Sequence, residues 1–143
     1  MKEPEREALR WLRQSEDDLR FVEWLGQERA FFDKGCFLAQ QAGEKVLKAC
    51  LYALGKRRII GHSLHEMVKE LSEQDSRFKT AAAPAKRLDR HYIPTRYPNG
   101  LPGSSPFEVF DEDDLISAQD DVQRIFTVAR RFLEEKGIVR EAG

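Results

Sequence analysis

A chain of 143 residues, 41% hydrophobic and 34% charged, is long enough to bury one core and too short for two independent ones. A net charge of -1 supplies no global attraction to nucleic acid or membrane, so any anion site must come from local clustering. No apolar run approaches the roughly 20 residues that span a bilayer, and Met1-Lys2-Glu3-Pro4-Glu5-Arg6-Glu7 lacks a signal-peptide core; a single cytoplasmic domain is expected.

From Pro4 to about Gln27, Ala8, Trp11, Leu12, Leu19, Val22 and Leu25 recur at three- and four-residue steps, which predicts an amphipathic helix. Pro4 suits the first turn, and Glu3, Glu5 and Glu7 complement the positive end of the helix dipole. A second helix runs from about Phe31 to Leu54, ends at Gly55, and has so little polar surface that it reads as the central helix. Ala39, Ala42 and Gly43 are small enough to admit a close neighbour, and Cys36 and Cys50 read as reduced core residues. After the basic connector Lys56-Arg57-Arg58-Ile59-Ile60-Gly61-His62, Ser63 and Glu66 stand at capping-box spacing and start a third helix.

A fourth helix covers part of Asp75 to Tyr92, where Pro84 must begin, kink or break it. Four prolines and two glycines between Ile93 and Pro106 predict a long loop, the kind of segment that often carries binding residues. A last helix starts in Asp111-Glu112-Asp113-Asp114 and ends before Gly137. The fold class is therefore all-α: an up-and-down helical bundle of four to five helices with one long Pro/Gly-rich loop before the last.

The chain shows no glycine-rich phosphate loop and no nucleophile turn. His62 and His65 stand three apart with no third ligand in sight, so no metal or other cofactor is expected. Positive charge collects in two places. One is the connector, with Lys56, Arg57, Arg58 and His62; the other holds Lys86, Arg87, Arg90, His91 and Arg96, interleaved with Tyr92 and Tyr97. Folded together, these clusters would form a phosphate pocket with tyrosines able to stack on a base. Lys45 and Lys48 on the second helix, near Gln40 and Glu44, are further phosphate-binding candidates.

Three motifs occur in order: Phe37-Leu38-Ala39-Gln40-Gln41-Ala42-Gly43-Glu44-Lys45-Val46-Leu47-Lys48-Ala49, then Gly61-His62-Ser63-Leu64, then Thr95-Arg96-Tyr97-Pro98-Asn99. Together, over roughly residues 5 to 136, the chain resembles the HEPN family. The resemblance implies a helical bundle, commonly a homodimer, that binds a nucleotide or RNA and acts beside a separate minimal nucleotidyltransferase chain. It also implies an alternative, a metal-independent RNase toxin of a toxin-antitoxin pair, since such members carry Arg, four to six residues, then His; a third reading is a non-catalytic scaffold that only dimerises or docks a partner chain. Arg57 to His62 has that spacing; Arg87 to His91 is one residue short, and Arg87 to Tyr92 resembles a tyrosine version. The expected anion pocket is lined by Arg96, Tyr97, Arg87 and Arg90, with His62 beside it.

Overall fold

The computed structural model describes residues 2–138, and every regular element in them is helical. Helix α1 spans Glu3–Glu28 with Pro4 and the acids Glu3 and Glu5 in its first turn. It stops at Arg29, whose φ of 55° is left-handed, and Phe31 repeats that conformation at φ 54° before α2 begins at Phe32. Left-handed backbone costs a non-glycine residue roughly 1–2 kcal/mol. The turn is tied down from outside: the Arg29 guanidinium forks onto Glu112 at 2.6 and 3.0 Å, joining it to the start of the last helix.

Helix α2, Phe32–Ala53, is the most enclosed element, as its sequence requires. Two of its glycines serve close approach. A Cβ on Gly35 would stand 2.6 Å from Leu115 Cδ1, and one on Gly43 would stand 2.7 Å from Leu64 Cδ2. At the far end Gly55, at φ 86°, donates to Tyr52 O while Lys56 donates to Leu51 O, the paired bonds of a Schellman stop. Cys36 and Cys50 are buried free thiols.

Helix α3 spans Leu64–Gln74, and Ser63 accepts from Glu66 N as its cap. The other exposed donors of that first turn are taken by a residue the local sequence does not reveal: Asp89 accepts from Leu64 N, His65 N and Ser63 Oγ. The stretch after α3 divides at Pro84. A 3₁₀ segment, Ser76–Ala81, gives way to α4, Ala82–Asp89, and Pro84 sits in the first turn of α4, where a proline removes no helical bond.

The proline-rich stretch is irregular but not featureless. It contains a 3₁₀ turn at Pro98–Gly100 and leads to a one-turn helix, α5, Pro106–Val109. Helix α6, Glu112–Glu135, opens with a reciprocal capping box between Asp111 and Asp114 and closes at Gly137 with a second Schellman stop that buries Ile138. Leu12, Leu19 and Val22 of α1, Val46, Leu47 and Leu51 of α2, and Val122, Ile125 and Phe126 of α6 meet in one apolar core that also takes Leu64, Phe78 and Leu88. Among the described residues no helix is long and apolar enough to cross a membrane.

Candidate functional site

The three sequence motifs meet on one side of α2. Gln40 and Glu44 are four residues apart and share a helix face, with Gly43 between them leaving room for Leu64. That close approach lays the connector against α2. Gly61, at φ 103°, turns the chain in a conformation glycine tolerates and delivers His62 to this face.

His62 is then held at two points. Gln40 Nε2 donates to its carbonyl at 2.9 Å, and its Nδ1 lies 3.1 Å from Glu44 Oε1. A carboxylate only accepts, so Nδ1 carries the proton and Nε2 is the basic nitrogen. The imidazole remains 56% exposed while Glu44 is 5% exposed, which leaves a water-facing acid-base group on a buried support. The second Glu44 oxygen accepts from Lys48 Nζ at 3.1 Å, and Lys48 in turn lies over the Trp11 ring at 5.4 Å.

On its other side His62 stacks on Tyr92, with ring centres 4.9 Å apart and planes 19° apart. The Arg96 guanidinium lies 4.6 Å from the same tyrosine ring, 4.5 Å from Phe37 and 5.0 Å from Tyr97. Its Nε donates to the Tyr92 carbonyl at 2.8 Å. Among the described residues no carboxylate lies within salt-bridge distance of Arg96. Three aromatic faces thus orient a cation whose outer donors are available to an anion. Tyr92 joins the imidazole to the guanidinium, each within 5 Å of its ring centre.

This arrangement has a recognisable lineage. Residues 8–139 match the HEPN domain family. The chain belongs to that family. The crystal structure of TT1696 from Thermus thermophilus matches the fold at a TM-score of 0.76 and 32% identity, over 90% of this chain and 97% of that one. ST0689, described as an archaeal HEPN homologue, matches at 0.70 and 27%, over 92% and 98%. A Methanocaldococcus jannaschii protein named "Putative toxin MJ1304" is 24% identical over 137 residues, 90% of each chain.

Within the HEPN bundle the remaining basic residues go elsewhere. Arg87, expected in the pocket, is engaged by α6: its Nε and Nη2 hold the buried Asp121 carboxylate at 3.0 and 2.8 Å. His91 follows Arg87 by one helical turn and faces the same way, with its ring edge-on to Phe110 at 5.6 Å. Burial holds its pKa below 6.5, opposed by the nearby Asp114 and Asp121. The Arg87–His91 pair therefore addresses α6, whereas Tyr92, one residue later, addresses α2. Lys45 bonds Asp18 of α1 at 2.5 Å and does not join the His62 cluster. Arg90 is exposed, and Arg57 lies on the exposed connector, so the Arg57–His62 spacing brings only His62 to the cluster. Sequence reading undervalued Glu44, which doubles as an ordinary helix pair with Lys48, and missed Phe37, whose ring supports Arg96.

Proposed function

We propose that this HEPN protein binds the phosphate of a nucleotide or RNA at the cluster of His62, Tyr92, Arg96 and Tyr97, and that it acts as a homodimer beside a separate minimal nucleotidyltransferase chain. The observation that carries the reading is Arg96. It is a guanidinium ordered by three aromatic rings and a backbone carbonyl, with no carboxylate among the described residues to neutralise it and a hydrogen-bonding imidazole nearby. Guanidinium groups favour phosphate because their planar donors match its oxygens, and base stacking on an exposed Tyr97 adds to that affinity.

Thermal unfolding with ATP, GTP and a short single-stranded RNA tests it. A ligand at about 100 times its dissociation constant adds ~2.7 kcal/mol of stability, a shift of several degrees for a chain of this size. That shift should vanish in Arg96→Ala. No shift with any ligand would overturn the reading.

A second reading has its own support in the His62–Glu44 pair and the toxin-named relative. As an endoribonuclease, His62 Nε2 takes the proton of an RNA 2′-hydroxyl while Arg96 holds the phosphate. The 2′-oxygen attacks phosphorus, and the 5′-oxygen leaves with a proton, giving a cyclic phosphate and a 5′-hydroxyl end. Cleavage of single-stranded RNA in EDTA that is lost in His62→Ala supports this reading, and intact RNA with the wild-type chain refutes it.

A further inference from the structure

A groove of about 490 Å³ opens on the other side of Arg96. Its walls are Phe37, Leu38, Pro98, Pro106 and Phe107, and Asp33 and Lys34 close the end at the start of α2. The volume falls in the range of small-molecule sites, and the composition, largely apolar with a few convergent polar groups, is what such sites show.

The unusual member is Asp33. Its side chain is 6% exposed yet lines the groove, and Oδ2 pairs with Lys34 Nζ at 2.9 Å, a lysine whose own side chain is 58% exposed. An ionised carboxylate has about four lone-pair sites, so this contact leaves acceptor capacity on both oxygens. A mostly buried acceptor that lines an apolar groove together with aromatic rings and Arg96 specifies its ligand by chemistry. The ligand must bring adjacent N–H donors, a flat face, and an anion toward Arg96.

Of the four RNA bases, guanine alone presents two neighbouring donors, N1–H and N2–H, on one edge. Adenine and cytosine place a ring acceptor beside their amino group, and uracil sets one N–H between two carbonyls. Each of those would turn lone pairs toward a carboxylate that can only accept. We infer that this groove is a guanine-reading subsite: Asp33 accepts from N1–H and N2–H, the exposed Phe107 ring covers the base, and Arg96 takes the attached phosphate. The inference rests on the phosphate-binding reading above and gives that site a base preference.

Calorimetric titration of the full chain with GMP, AMP, CMP and UMP tests it, together with uridine hexamers carrying one central guanosine or adenosine. Because a two-point contact to a base edge discriminates strongly, guanine ligands should bind about tenfold or more tighter than their adenine counterparts. Asp33→Asn should abolish the preference while retaining AMP affinity. Phe107→Ala, at an exposed position, should weaken all bases alike without disturbing the fold. Tighter binding of the guanosine hexamer than of GMP identifies unpaired RNA as the source, and the reverse identifies the free nucleotide. Binding of all bases within twofold, or a guanine preference that survives Asp33→Asn, overturns the subsite and leaves phosphate binding standing. Failure of every ligand to bind overturns both.

Discussion

Replacing Glu44 by alanine strips the counter-charge from a lysine that folding has already taken out of water. Lys48 is 7% exposed, its Nζ sits 3.1 Å from Glu44, and its other stabilising neighbour is the face of Trp11 at 5.4 Å. Removing one member of a buried ion pair costs ~3–5 kcal/mol, because an uncompensated charge remains. The retained indole contact compensates roughly 1 kcal/mol of that, so a net loss of about 2–4 kcal/mol is expected. In a chain of this length the midpoint should fall by roughly 5–15 °C. Adding Lys48→Met removes the orphaned charge and keeps the volume, and should restore more than half of the loss. Thermal and urea unfolding followed by circular dichroism measures both variants. His62 lacks its carboxylate partner in both variants, so Lys48→Met should restore stability without restoring any ligand affinity that Glu44→Ala costs. A loss below about 1 kcal/mol in Glu44→Ala, or no recovery with Lys48→Met, would refute the claim that a buried charge pair supports the site.

Gly61→Ala places a side chain at φ 103° and should cost about 1–3 kcal/mol while loosening His62, which unfolding and ligand titration together would detect. Arg87→Ala leaves the buried Asp121 without its guanidinium and should lower stability by ~1–3 kcal/mol with unchanged ligand affinity; a selective loss of affinity would return Arg87 to the binding site. His91, held below 6.5 by burial, binds fewer protons folded than unfolded, so stability should decline as pH falls from about 6.5, and His91→Gln should flatten that slope in acid unfolding curves. Burial lifts the Cys36 thiol to about 12 and Cys50 well above its usual 9.0, so a thiol reagent at pH 8 should label neither until the chain unfolds; rapid labelling of the native chain would contradict their burial.

The helical architecture was legible because its signals are local. The apolar spacing of α1, α2 and α6, the glycines that stop α2 and α6, and Ser63 at the start of α3 each act within a few residues, where backbone geometry and side-chain chemistry are coupled directly. The ordered motifs also pointed to the regions of His62 and Arg96, and the spacing from Arg87 pointed to Tyr92. What they left open was how nearby charges divide between partners. Lys45 and Lys48 are one turn apart, yet one bonds Asp18 of α1 and the other Glu44 under Trp11. His91 and Tyr92 are adjacent, yet one meets Phe110 and the other His62.

Residue order alone was enough for an all-helical chain, its main helix boundaries, its core residues and its family. Packing of the helices was needed to engage Arg87 with Asp121 while setting Arg96 against three aromatic rings, and to place Asp33 in the lining of the groove beside it. The reason is physical: helix periodicity is written in steps of three and four residues, whereas a charge such as Arg87 finds its partner on another helix, dozens of positions away.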